Sequence, residues 1–227
     1  MERYQVIDTK MPREFLLLQG TGCRWHKCGF CDYHADTSDS PFMVNKPVLD
    51  KVEGIYGVLD IINSGSAVEL DSQTVSYIRK VVQDKQIHTL WFESHYMYRH
   101  HLKSFANQFA PAVVKFRCGV ETFDTTLRNQ WKKGIPSDVT PEDIAKHFQG
   151  VCLLCGTEGD TVGRIARDID IALGLFEYMS VNLFCDNSTP LKADPHFQEQ
   201  FIAELYPRIK ENPRIEILLQ NTDLGVG

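Results

Sequence analysis

At 227 residues with 43% of them hydrophobic, the chain can bury a full core and reads as one domain, 1–227, since α/β barrels reach this size undivided. A formal charge of −6 with scattered Lys and Arg excludes a nucleic-acid tract, which needs a basic face against phosphates, and no apolar run approaches the roughly 20 residues of a membrane span. Seven cysteines, three of them clustered, point to metal chemistry in a reducing cytoplasm rather than a disulfide frame, and Met1-Glu2-Arg3-Tyr4 lacks a signal-peptide pattern.

Short apolar runs alternate with longer amphipathic stretches, the pattern of repeated strand-helix units around a parallel sheet. The first expected strand, 15–19, turns through Gly20-Thr21-Gly22 into a loop, 20–36, that holds Cys23, Cys28 and Cys31. Residues 37–47, rich in Ser, Asp and Pro, read as loop before a short helix. A second strand at 56–62 is followed by a helix at 71–85, with Val75, Ile78, Val81 and Val82 at helical spacing, and a third strand at 88–92. Residues 102–109 read as helical, 113–120 as the fourth strand and 122–131 as its helix. The fifth strand is 149–154, and the helix at 160–175 carries Ile165, Ile169 and Leu173 at four-residue steps. A sixth strand at 178–184, a helix at 197–209 and a strand at 215–219 within the tail 213–227 complete the chain. The sum is a six-stranded open α/β barrel plus a tail strand.

The run Cys23-Arg24-Trp25-His26-Lys27-Cys28-Gly29-Phe30-Cys31 places three thiols in one loop directly after an apolar strand. Three sulfurs this close can converge on one metal site while backbone amides hydrogen-bond to them. Four thiolates would close a four-iron cluster; three leave one iron open to a substrate. With His26 or His34 as a fourth ligand, the same thiols can instead form a closed zinc site in a module without catalysis, and unliganded thiols are the third reading. Zinc fingers usually split their ligands into two pairs along the chain, which this run does not do.

In such a barrel the chemistry sits at the carboxyl ends of the strands. Candidate groups there are Ser64-Gly65-Ser66, Glu93-Ser94-His95-Tyr96, Glu121, Gly156 with Glu158, Asn182 with Asp186 and Asn187, and Asn221-Thr222-Asp223. The plainer readings are a turn at 64–66, a surface histidine at His95 and a frayed terminus at Asp223. Arg117, Gly119 and Glu121 alternate along the fourth strand and share a face, so Glu121 is either a site carboxylate, solvated, or the partner of Arg117. Cys118, Cys152, Cys155 and Cys185 read as packed thiols.

The spacing C-x4-C-x2-C, led by a strand and followed by Asp32-Tyr33, resembles the signature of the radical S-adenosylmethionine (SAM) family. That family usually shows C-x3-C-x2-C, so the extra residue requires a bulge between the first two thiols. The resemblance implies a partial (β/α)6 TIM-like barrel with a 4Fe-4S cluster on Cys23, Cys28 and Cys31. It also implies SAM on the open iron, cleaved by one electron to a 5′-deoxyadenosyl radical that takes a hydrogen atom from the substrate. By the same likeness Phe30 packs near the adenine, the backbone of Tyr33 meets the adenine amino group, and Glu121 holds the ribose hydroxyls. Ser64, Gly65 and Ser66 stand where the family carries Gly-Gly-Glu for the amino group of SAM, though the acidic residue is absent and only Glu69 follows. Gly156 and Glu158 resemble a motif that shapes the adenine pocket.

Glu93, His95, Tyr96, Asn182, Asp186 and Asp223 are then the candidates for catalytic and substrate contacts. A reducing partner such as flavodoxin or ferredoxin is implied. The compact chain favours a small-molecule substrate, and overall likeness to small members of the family implies a queuine-like 7-deazapurine whose carbon–nitrogen bond is split. Glu93, Asp186 or Asp223 can accept the neighbouring N–H donors of its guanine-like edge, and Tyr96 or Phe184 can stack on the base. An activase or modifying enzyme acting on a peptide or protein is the other enzymatic reading.

Overall fold

The computed structural model describes residues 1–227. Eight strands lie in one sheet in sequence order: β1 Tyr4–Ile7, β2 Arg13–Leu18, β3 Val58–Asn63, β4 Thr89–Ser94, β5 Val113–Glu121, β6 Gly150–Cys155, β7 Tyr178–Leu183 and β8 Ile215–Leu218. The chain gathers into two compact units, one of residues 1–26, 33–117 and 224–227, the other of 27–32 and 118–223.

In the first unit β2, β3 and β4 are parallel, with Leu18 opposite Asn63 and Ile61 opposite Phe92. All six residues of β2 are buried, as expected of a parallel strand covered on both faces. Its two charged residues have partners: Arg13 donates to Asp60, and Glu14 accepts the backbone N–H groups of Glu53, Gly54 and Ile55. Helices α1 Pro41–Leu49, α2 Ser72–Asp84 and α3 Leu102–Ala106 belong to this unit. Asp71 caps α2 by accepting the Thr74 N–H, and Val75, Ile78, Val81 and Val82 are its buried stripe. Phe92 packs against Phe105, Phe109 and Phe116 at ring distances of 5.3, 5.5 and 6.3 Å. Because strand side chains alternate, Glu93 lies on the opposite face of β4, with Trp91, whose opposite number on β3 is Asp60.

The second unit contains α4 Thr125–Gln130, α5 Pro141–Ala145, α6 Val162–Leu175, α7 Pro195–Gln200 and α8 Tyr206–Ile209. Its strands β6, β7 and β8 are parallel, and α6 buries Ile165, Ile169 and Ala172.

Helix α5 lies where the sequence pattern marked no element, and four further elements depart from that pattern. Strand β1, antiparallel to β2, has four residues, too few to show a period. Helix α1 occupies much of the expected loop at 37–47: Pro41 suits its first turn, and the helix carries Pro47 inside it. Helix α4 starts three residues late, because Asp124 stays extended as the cap and accepts the Leu127 N–H. The expected helix at 197–209 is broken into α7 and α8 by a π turn at Phe201–Leu205; Pro207 brings no N–H to the ladder that follows. No helix is long and apolar enough to cross a membrane.

Candidate functional site

In the first unit, Gly20 leaves β2 and donates its N–H to Ser64 Oγ at 2.8 Å, so the cysteine loop starts against the end of β3. Gly65 keeps that approach close: a Cβ there would stand 2.5 Å from Glu69 Oε2 and 3.4 Å from the Cα of Cys23. Glu69 fastens three segments together. Its Oε1 accepts the Arg24 N–H at 2.8 Å and the Tyr98 hydroxyl at 2.6 Å, and its Oε2 accepts the Ser66 N–H at 2.7 Å. Burial and then this carboxylate push the Tyr98 hydroxyl above its ordinary pKa, so the proton stays in the clamp. Between the first two thiols, His26 is left-handed at φ 53° and donates its N–H to Cys23 Sγ at 3.4 Å.

His95 is buried and built into the same wall. Its N–H donates to Ser66 Oγ at 3.0 Å, its Nδ1 accepts the Met97 N–H at 3.1 Å, and its ring stacks on Trp25 with centroids 5.4 Å apart. Accepting that bond puts the ring proton of a neutral His95 on Nε2. Tyr96 is buried, with the Arg99 guanidinium 4.7 Å from its ring centre. Glu93 is half-buried, whereas Tyr33 is exposed at the start of a short turn.

In the second unit, Cys28 and Cys31 are half-buried. Gly29 donates its N–H to the Trp131 carbonyl at 2.9 Å, and Phe30 meets the Trp131 ring edge-on at 5.8 Å. On the other side Asn187 Nδ2 donates to the Phe30 carbonyl at 2.8 Å, and Ser188 donates both N–H and hydroxyl to Asp32. Glu121 ends β5 in a left-handed conformation, φ 65°, and pairs with Lys133 Nζ at 2.7 Å. Burial alone would lower the pKa of Lys133, but the Glu121 carboxylate outweighs it and holds the ammonium above its ordinary range.

Gly156, at φ 86°, donates its N–H to Asp160 at 2.9 Å. Arg164 ties Asp160 to Asp168, and Asp168 accepts the Thr122 hydroxyl at 2.7 Å, so one buried network braces the chain beyond β5 and β6. Asn182 is half-buried on β7 beside Ser180. Asp186 and Asp223 are exposed and serve their own loops: Asp186 accepts the Ala193 N–H, which lowers its pKa, and Asp223 accepts those of Leu219 and Gln220.

No family model matches the chain, and no curated protein does. Among solved structures, it matches a queuine lyase from Clostridium spiroforme bound to SAM and queuine, with TM-score 0.94 and 38% sequence identity, covering 100% of this chain and 99% of the other. The chain belongs to the queuine lyase family. Its fold is accordingly the α/β, partial (β/α)6 barrel that the sequence pattern implies.

Read for motifs alone, the sequence hides several of these residues. Glu69 is signalled by the spacing Ser66-x-x-Glu69, a capping box at a helical turn. Lys133 and Trp131 carry no such signal, and Asn187, a candidate group after the sixth strand, gives no sign in sequence that its partner is the Phe30 carbonyl. Arg117 was a possible partner for Glu121; it is instead bidentate to Asp60 at 2.6 and 2.8 Å.

The donor set suits the cluster that the resemblance implies. None of the seven cysteines is in a disulfide, the three in the loop are half-buried, and an amide N–H already points at Cys23 Sγ. Cys118, Cys152 and Cys155 are buried, and burial pushes the Cys155 thiol well above its ordinary range, which makes it a poor ligand. Nowhere do three His, Cys, Asp or Glu side chains gather as the ligands of a single ion would. A four-iron cube makes no such demand, because each thiolate takes a different iron.

Proposed function

We propose that this chain is a radical SAM lyase that splits queuine at a carbon–nitrogen bond and releases 7-aminomethyl-7-deazaguanine for queuosine salvage. The observation that carries the reading is the full-length likeness, at 38% identity, to a queuine lyase solved with SAM and queuine. The C-x4-C-x2-C loop supports it from the sequence. Cys23, Cys28 and Cys31 would hold a 4Fe-4S cluster. Bound there, the cluster and SAM supply the electron and the 5′-deoxyadenosyl group that takes a hydrogen atom from queuine.

The chain's own residues position and shield. Phe30, Tyr33, Ser64, Gly65, Ser66, Glu121 and Gly156 are assigned to SAM. The Glu69 clamp supports this assignment in the first unit, since it ties Ser66 to the residue after Cys23. His95 and Tyr96 line the neighbouring wall, where a well-packed surface keeps water and stray hydrogen donors from the radical. Electrons come from a small reducing partner such as flavodoxin or ferredoxin.

Of the three carboxylates suited to the guanine-like edge, Glu93 is favoured. Asp186 and Asp223 are exposed and already accept amides of their own loops, whereas Glu93 is half-buried on the face of β4 away from the phenylalanine cluster. A carboxylate accepting two neighbouring N–H groups gains charge-assisted hydrogen bonds of about 1.5–3 kcal/mol each. Glu93→Gln is therefore expected to raise KM for queuine by roughly 10–100-fold while uncoupled deoxyadenosine formation continues. An unchanged KM would remove Glu93 from the base.

The deciding experiment is anaerobic reconstitution followed by incubation with SAM, dithionite and queuine, with products read by mass spectrometry. The expected products are 5′-deoxyadenosine and 7-aminomethyl-7-deazaguanine. Deoxyadenosine alone would keep the radical chemistry and discard queuine. Neither product, with zinc in place of iron, would overturn the whole reading.

A further inference from the structure

We propose that Lys133 is a positioning residue that sets the reduction potential of the cluster, acting as a fixed positive charge against the Cys28–Cys31 turn, whose Phe30 ring its ammonium covers; the proposal rests on the cluster reading above. Its side chain is 10% exposed, and Nζ lies 2.7 Å from the Glu121 carboxylate. The same ammonium stands 5.5 Å from the centre of the Phe30 ring, between Cys28 and Cys31 in sequence, and the Cys28 sulfur is within its electrostatic reach. The separation is held at both ends. Glu121 anchors the ammonium, and the Gly29 N–H on the Trp131 carbonyl fixes the loop to the turn that carries Lys133. Lys132, left-handed at φ 55°, turns the chain so that Lys133 folds back while its neighbour points outward.

The sign follows from charge. Reduction adds one electron to a cluster that already carries thiolates, and a cation held in a low-dielectric site stabilises the added charge. Lys133 therefore raises the potential and makes the cluster easier for a biological donor to reduce. Glu121 opposes it, so removing that carboxylate must move the potential the other way. A residue that served packing alone would not produce two opposite shifts.

The test uses full-length protein reconstituted anaerobically without SAM, with iron and sulfide assayed and the midpoint potential read by titration followed in the electron paramagnetic resonance spectrum. Lys133→Met is expected to keep its iron and sulfide, and at a fixed potential its reduced-to-oxidised ratio should fall about tenfold, a shift of about 59 mV to more negative values for one electron. Lys133→Arg should restore most of the shift, and Glu121→Gln should move the midpoint to more positive values. An intact cluster in Lys133→Met with an unchanged midpoint overturns the proposal. Should Lys133→Met fail to assemble a cluster, Glu121→Gln decides alone: a positive shift supports the proposal, and no shift or a negative one overturns it. Wild-type protein that takes up no iron and sulfide would fail the cluster reading itself, and the role of Lys133 with it.

Discussion

Cys28→Ala is expected to lose the iron–sulfur chromophore and to bring deoxyadenosine formation down to background while the protein remains folded. The two effects separate because the loop is held by bonds that do not use the sulfur. Gly29 still donates to the Trp131 carbonyl, and Asn187 and Ser188 still grip Phe30 and Asp32. Cys28 is half-buried, so its truncation leaves little cavity, and the melting temperature should move by no more than a few degrees. The control is Cys155→Ala. That thiol is fully packed, its pKa is pushed up by burial, and its Sγ reaches only the Asn182 carbonyl, at 3.7 Å. Its loss should cost stability, about 1 kcal/mol, and leave iron content unchanged. A Cys28→Ala protein that kept its full complement of iron and sulfide and still cleaved SAM would remove Cys28 from the ligand set.

What the sequence disclosed and what it hid divide along the range of the interactions. The cysteine loop is legible because its three thiols lie within nine residues of one another, and the parallel strands are legible because burial on both faces writes them as apolar runs. Glu121 could be singled out as a carboxylate at the end of β5, but its partner could not. Alternation offered Arg117, four residues away, whereas the cation that pairs with it comes from beyond α4, and Arg117 is committed to Asp60. Glu69 looked like an imperfect stand-in for a missing acidic motif residue; its importance lies in three bonds to Arg24, Ser66 and Tyr98, two of them remote in sequence. At Asp186 and Asp223 the sequence is silent on local bonding. Each carboxylate follows a strand, and only the structure shows that amides of its own loop already bond to it.

The largest stability loss is expected at Asp60, a residue that no motif marks. Its carboxylate accepts Arg13 Nε at 2.8 Å and both Arg117 Nη groups at 2.8 and 2.6 Å, and the side chains of Asp60, Arg13 and Arg117 are 0%, 0% and 5% exposed. Three charges out of water persist only while they satisfy one another. Asp60→Asn keeps the shape and removes the shared counter-charge, which should cost about 3–5 kcal/mol, read as a lowered urea midpoint. Replacing all three by apolar residues of similar volume should recover much of that loss, since a buried ion network is often matched by good packing. By contrast, Lys80→Ala should leave the midpoint where it was, because its partner Asp84 is a solvent-exposed helical neighbour. The network also bears on function. Arg117 lies 5.9 Å from the Trp91 ring, and Trp91 shares its face of β4 with Glu93. In Asp60→Asn protein that remains folded at low temperature, KM for queuine should therefore rise while iron content holds. A variant as stable as the wild type would show that the two guanidiniums are satisfied without Asp60, and that the wall beneath Glu93 is set by packing alone.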